Sequence, residues 1–417
     1  MEPTLLCPRT RIVESSTRLV RSVIIILMLV GKKETRHHFD GELHDNDAMQ
    51  APAKPKRWTR LHQILHDDRG LRYFFASIFI IIATGIGLLA MLSTYKDPDV
   101  ITLGTIIQNK VDQKYYSPLT GNELPDEAAT KRAVTSMMLE NSPSARPQSG
   151  LKDSGVVFEA IAEGGITRFL VIYQEQQPAL IGPVRSLRPY YVDWVAAFDA
   201  SVGHIGGSYN ALQEVRNGQY RDIDQFFNSG AYWRAKDRYA PHNVYTSFER
   251  LNALNAKKGY NESNFTGFKR TAVETKKPTK AKKATTPEIA NQIQVNISGA
   301  LYNSSYAYDA ASKTYARSQG GKPHVDRESG QIAPRVVVVM KIPTVRGFED
   351  GYREQMNTIG TGEVHIFQNG THVQGSWKKD AKKSQIKFVD SAGKEIPLER
   401  GQTWLTAIGT DKTVTWQ

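Results

Sequence analysis

The sequence predicts a membrane-tethered protein with an α/β (or α+β) N-terminal extracytoplasmic domain and a β-rich C-terminal domain, preceded by a single transmembrane helix. Three observations predict it. Tyr73 to Tyr95 is a run of twenty-three uncharged residues, short apolar runs alternate with helical patterns from 115 to 265, and strand patterns joined by hairpin turns dominate from 289 onward. The 417 residues suit about two or three folded units, and a 40% apolar fraction is enough for their cores.

The anchor comes first. At 1.5 Å rise per residue, twenty-three residues cross a hydrocarbon core of about 30 Å, and the stretch is longer than the apolar core of a signal peptide. Tyr73 and Tyr95 stand where interfacial aromatics are expected. Lys54, Lys56, Arg57, Arg60, Arg69 and Arg72 precede the span, whereas only Lys96 and Lys110 follow closely. That bias puts the N-terminus in the cytoplasm and residues 96–417 outside, in the cell membrane of an envelope. Residues 1–72 read as a basic, largely disordered cytoplasmic tail, with Met49 as an alternative start to Met1. The run Val23–Val30 is too short to span. Cys7, the only cysteine, follows just two leucines and is no lipidation site, and its solitude excludes a disulfide framework or a cysteine-rich zinc centre.

Residues 96–114 read as a juxtamembrane stalk and 115–265 as the α/β domain. Its strands are expected at Ala133–Leu139, Gly155–Ile161 and Thr167–Tyr173, its helices at Pro189–Phe198, Tyr209–Arg216 and Thr246–Ala256. Residues 266–288 contain KRTAVETKKPTKAKK, a Lys-rich segment that cannot form a core and reads as a linker. The β-rich domain, 289–417, is expected to place strands at Gln292–Ile297, Arg335–Ile342, Glu363–Phe367, Thr371–Trp377, Gln385–Val389 and Thr403–Ile408. Asn369-Gly370 is a strong hairpin turn, and Ser391 to Gly393 a second. Trp377 and Trp404 read as core residues of their strands.

Chemistry-bearing residues concentrate between Glu159 and Asn243. Arg168, Arg185 and Arg188 stand near Gly pairs, where guanidiniums and freed backbone amides suit phosphate or carboxylate; the bland alternative pairs each with an acid such as Glu163. Ser208 and Asn243 join them as ligand-binding candidates, Ser208 with a competing reading as a helix cap. His204, His242 and Glu163 are the catalytic candidates, either histidine as acid/base and Glu163 as orienting or catalytic carboxylate. No nucleophile elbow accompanies the serines, and Ser376/Lys379 has S-x-x-K spacing without its usual companions. His324-Val325-Asp326 offers two metal ligands without a partner set, so no metal and no cofactor is expected. The formal charge of +12 favours anionic partners, but an exported domain meets little nucleic acid.

Several strings resemble the YerB-type family of bacterial cell-envelope proteins: SPLTG at 117–121, ARPQSGL at 145–151, EGGITRF at 163–169, IGPVRSLRPY at 181–190, HIGGS at 204–208 and APHN at 240–243. YDAASKTYARSQGGKPHVD, VVVVMK, TGEVHIFQNGTHVQGSW and GQTWL extend the resemblance toward the C-terminus. The resemblance implies an exported, membrane-held, two-domain protein and supplies no catalytic residue. Many relatives use a lipidated cysteine where this chain has the apolar span. Three functions follow as expectations: binding of an anionic envelope polymer or phosphorylated glycan through the arginines, an envelope glycan or phosphodiester hydrolase or transferase using a histidine, and a scaffold recruiting envelope proteins. The sequence leans away from an enzyme. The lipid bilayer is the expected partner in all three.

Overall fold

The computed structural model describes residues 68–94, 113–272 and 288–417, apart from 349 and 352. The choice between Met1 and Met49, the cytoplasmic tail up to 67, the run Val23–Val30, stalk residues 96–112 and linker residues 273–287 lie outside the described residues. The chain divides into two units, Met1–Asp99 and Val100–Gln417.

In the first unit, helix α1 (Asp68–Thr94) runs for 27 residues without a proline. Its hydroxyls turn back onto its own carbonyls: Ser77 Oγ donates to Tyr73 O at 2.8 Å and Thr84 Oγ1 to Ile80 O at 2.7 Å. Phe79, Ile80, Ile81 and Ile82 are consecutive and all exposed, so the helix is apolar on every face. Over the residues whose side chains are described, no helix is long and apolar enough to cross a membrane; the backbone helix continues past that stretch at both ends.

The second unit is organised by one mixed sheet. Ten of its thirteen strands form the main path: β1 (Thr135–Glu140), β2 (Val156–Glu163), β3 (Ile166–Tyr173), β4 (Ser201–Gly203), β5 (Arg221–Asp222), β6 (Glu288–Ile289), β7 (Val336–Ile342), β8 (Gly360–Gln368), β9 (Thr371–Lys379) and β10 (Thr403–Gly409). They lie in the order β6-β9-β8-β7-β10-β2-β3-β1-β4-β5. The first four and β10 come from the C-terminal half and the rest from the N-terminal half, so the expected boundary near the linker is no boundary of the sheet. Strand β10 makes the join: it pairs parallel with β7 on one side and with β2 on the other. All seven of its residues, TWLTAIG, are buried, as a continuous apolar run between two parallel neighbours requires.

The expected strands and helices all form, with ends shifted by a few residues. Helix α2 (Pro189–Val195) starts with Pro189 in its first turn and turns Tyr190, Tyr191 and Trp194 inward. Tyr190 Oη donates to Ile161 O at 2.6 Å and Tyr191 Oη to Ala160 O at 3.0 Å, while Trp194 stacks on Phe158 at 5.1 Å, which docks the helix on β2. Helices α3 (Tyr209–Val215) and α4 (Phe248–Lys258) follow. Asn369 and Gly370 take φ of 54° and 71° and let Gln368 pair with Thr371, the primed two-residue hairpin that β8 and β9 need. Trp377 and Trp404 are buried core residues.

A second, five-stranded sheet contains a hairpin absent from the sequence reading, Ser304–Asp309 with Thr314–Gln319, flanked by Gln292–Val295, Val414–Trp416 and Lys322–Pro323.

Candidate functional site

The residues singled out from sequence fall into separate ion-pair knots. In the first, Glu163 at the end of β2 serves two guanidiniums: Arg168 Nη2 binds Oε1, and Arg188 Nε and Nη2 bind Oε2 at 3.1 and 2.6 Å. Arg168 Nη1 also donates to Ser186 O at 3.0 Å, and Arg188 Nη1 to Leu187 O at 2.7 Å. Burial alone would raise the Glu163 carboxyl; Arg168 and Arg188 together hold it below the ordinary carboxylate range. Both arginines are buried, and their charge is answered from within.

In the second knot, Glu140 at the end of β1 accepts from His242 Nδ1 and Ser142 Oγ, both at 2.9 Å, with Arg185 Nε at 3.5 Å. Oε2 of Glu140 and Nε of Arg185 are buried without a hydrogen bond, so Arg185 is the least committed of the three arginines. Arg168 and Glu140 are cross-strand neighbours in the β1–β3 register, which sets the first two knots side by side at one end of the sheet.

The third knot surrounds His204, which is fully buried. Its Nδ1 lies 2.8 Å from Gly206 O and its Nε2 3.0 Å from Asp222 Oδ1. Both ring nitrogens are thus met by groups of the protein, and the ring is sealed from solvent. Asp224 accepts from Arg216 at 2.6 Å behind it. Ser208 stands at the N-cap of α3, but its Oγ is buried and makes no hydrogen bond. Asn243 accepts from Arg234 Nη1 at 2.7 Å and donates to Ala235 O and Arg238 O, fastening a loop. His204 and the Glu163 knot thus have separate partners.

What sequence reasoning missed lies between the halves. Glu159 on β2 and Arg317 on the new hairpin are both completely buried and meet at 2.8 Å. Glu159 also accepts from Trp404 Nε1 at 3.0 Å and Thr167 Oγ1 at 3.1 Å. Arg317 donates to Tyr306 Oη at 3.2 Å, to Gln319 Oε1 at 3.3 Å and to His324 Nδ1, and its guanidinium lies 4.5 Å from the Trp404 ring centroid. His324 Nε2 in turn faces Gln148 Oε1 at 3.2 Å. Burial, then the Arg317 charge, pushes His324 well below its ordinary range. The suspected His324/Asp326 metal pair therefore resolves into a core imidazole and a turn: Asp326 Oδ1 accepts from the N–H groups of Glu328 and Ser329 at 3.1 Å. Among the described residues no group of three or more His, Cys, Asp or Glu side chains could hold a metal ion.

A cleft of the unit lies elsewhere, where the halves meet below α2. Its volume is about 660 Å³, and its lining includes Tyr220, Phe265, Asn264 and Gln219 from the N-terminal half and Lys383, Gln385 and Lys387 from the C-terminal half. That size suits a small ligand. One wall is braced: Lys382 Nζ reaches Glu214 at 2.9 Å, and the buried Lys379 Nζ donates to Lys382 O at 2.7 Å and Ser384 O at 2.5 Å. Burial pushes the Lys379 ammonium down to about 8. Lys383 and Lys387 are exposed at the rim.

Two family models match the chain, "Protein of unknown function (DUF3048) N-terminal domain" over residues 119–261 and its C-terminal counterpart over 293–405. "Putative lipoprotein YerB" of Bacillus subtilis (strain 168) is 31% identical over 298 residues, 71% of this chain and 87% of that protein. The crystal structure of YerB protein from Bacillus subtilis matches with a TM-score of 0.63 at 30% identity, covering 72% of this chain and all of that one. Motifs, sheet and matched segments agree, and this chain belongs to the YerB-like DUF3048 family.

Proposed function

We propose that this protein is a single-pass, extracytoplasmic cell-envelope protein that binds an anionic envelope glycan or polymer in the cleft between its halves. Helix α1 supports the tether: 27 residues give about 40 Å of helix, uncharged from Tyr73 onward, and six basic residues between Lys54 and Arg72 precede that uncharged stretch while two follow it closely. The relative's name, a lipoprotein, fits the same side of the membrane with a different anchor. The observation that carries the binding reading is the cleft lining. Tyr220 and Phe265 offer faces for sugar rings, Gln219, Asn264 and Gln385 offer hydrogen bonds, and Lys383 and Lys387 offer charge to a phosphate or carboxylate. In this reading the buried Arg168 and Arg188 are framework, with Arg185 the arginine still able to meet an anion.

Binding of phosphorylated and neutral glycan fragments to the detergent-solubilised full chain tests it. We expect a clear preference for the charged fragment and at least a tenfold loss in Lys383→Glu/Lys387→Glu; equal affinity for both fragments, or an unaffected variant, overturns the cleft assignment. Alkaline carbonate extraction tests the tether, which fails if the protein leaves the membrane.

An enzymatic role, the second reading, would rest on His242, which is partly exposed with Nδ1 held by Glu140. Ser142 donates to the same carboxylate, so it is not poised as a nucleophile. Any hydrolytic turnover should vanish in His242→Ala and survive in His204→Ala where that variant folds; turnover indifferent to His242 removes this reading.

A further inference from the structure

Large exposed aromatic side chains stand on the loop 226–227 and at the start of α3 in the second unit. Phe226 is 66% exposed, Phe227 72% and Tyr209 71%. The turn bearing the two phenylalanines is held from beneath. Asp224 is fully buried; its Oδ1 accepts from the N–H groups of Gly206 at 3.1 Å and Phe226 at 3.2 Å, and its carbonyl from those of Phe227 at 3.2 Å and Asn228 at 3.0 Å. Asp222 Oδ1 takes the Asp224 N–H at 2.9 Å and His204 Nε2 at 3.0 Å. Gly206 has φ +62°, and a Cβ there would stand 3.2 Å from the Phe226 ring, so a larger residue would disturb the approach. The His204 knot is thus a pedestal for an exposed aromatic turn.

We propose that this turn inserts into an anionic lipid surface, at the interface of the membrane that tethers the protein; the inference rests on the tether reading above. Two adjacent exposed phenylalanine rings present the kind of apolar surface that enters acyl chains. Arg216, partly exposed and paired with the buried Asp224 at 2.6 Å, lies with its guanidinium 4.9 Å from the Phe227 ring centroid and braces the apolar tip. Residues 96–417 carry 41 Lys and Arg against 33 Asp and Glu, which complements an anionic leaflet.

The test uses the full chain with Cys7→Ser and Phe227→Cys, labelled with bimane and reconstituted into phosphatidylglycerol/phosphatidylcholine vesicles. A Tyr239→Cys label, at a residue 92% exposed, is the comparison. Brominated acyl chains should quench the label at 227 at least twofold and leave that at 239 unchanged. No quenching at 227 overturns the inference, as does equal quenching at both positions. Carbonate extraction of the same vesicles separates the two readings. Retained protein with an unquenched 227 sinks the turn alone, quenching on protein that carbonate releases sinks the tether alone, and release without quenching sinks both.

Discussion

Glu159 and Glu163 sit four residues apart on one strand, and each receives arginine, yet they do different work. Glu159 is sealed and its guanidinium arrives from the other half of the chain, with Trp404 and Thr167 filling the remaining acceptor sites. Glu163 keeps some exposure, and both its arginines come from its own half. A charge pair taken wholly out of water survives only when every partner is in place, so the first knot demands that both halves be assembled. The second fixes a turn and a helix start within one half.

The largest effect should come from breaking the sealed pair. Arg317→Met leaves Glu159 buried without its cation and should cost about 3–5 kcal/mol of unfolding free energy, measured by denaturant titration. Glu159→Leu combined with Arg317→Met should recover much of that loss. A single variant within about 1 kcal/mol of wild type would show that the knot does not hold the halves. Glu163→Gln should be milder, about 1–3 kcal/mol, because Glu163 is itself partly exposed and each arginine keeps a backbone carbonyl, Ser186 O for Arg168 and Leu187 O for Arg188. If it exceeds Arg317→Met, the ranking of the two regions is reversed.

Acid sharpens the contrast. His324 in the fold is held well below its ordinary value, whereas the unfolded imidazole protonates near 6.5. The unfolded chain therefore binds the extra proton first, and stability should fall as pH drops below about 6.5, by up to about 1.4 kcal/mol per unit. Glu163 has its folded value lowered from 4.5, so its contribution is present above that value and is lost at still lower pH. The knot between halves should weaken first and the Glu163 knot second. His365 is lowered in the same direction, first by burial, so His324→Gln should reduce rather than abolish the slope between about pH 6.5 and 4.5; an unchanged slope there would assign it to other groups.

The sequence made the strands, helices, apolar span and Asn369-Gly370 hairpin legible because periodicity and turn chemistry are local. It also showed Trp404 and Trp377 as core. Arg317 was not legible. In TYARSQ the inward positions are Tyr315, Arg317 and Gln319, so the buried face looks polar and nothing local marks the arginine as interior. Nor could the strings around Arg168 and Arg188 be told from a ligand site, since guanidiniums beside glycine turns serve a distant carboxylate and a bound anion alike. Sheet continuity through β10 was hidden for the same reason: parallel pairing with Val156–Glu159 joins residues about 250 positions apart.

The smallest expected effect is alkaline and concerns a third buried charge, one that no carboxylate meets at ion-pair distance among the described residues. Lys379 is answered by two backbone carbonyls, and its ammonium is lowered to about 8 by burial. The unfolded lysine keeps its proton to about 10.5, so between those values the unfolded chain holds more protons and stability should rise with pH. Above about 10 the buried hydroxyls of Tyr190, Tyr191 and Tyr232, raised first by desolvation, oppose it. Their folded values exceed the unfolded one, so stability is lost as pH climbs. Unfolding free energy should therefore crest near about pH 10, and Lys379→Met should flatten the rising limb while leaving the falling one. Because that variant also strips donors from Lys382 O and Ser384 O, which brace the cleft wall, its stability at about pH 7 should change little in either direction: relief of a buried charge offsets two orphaned carbonyls. A rising limb that persists in Lys379→Met would show that the lysine keeps its proton in the fold, and the brace would then be an ordinary ammonium on carbonyl oxygens.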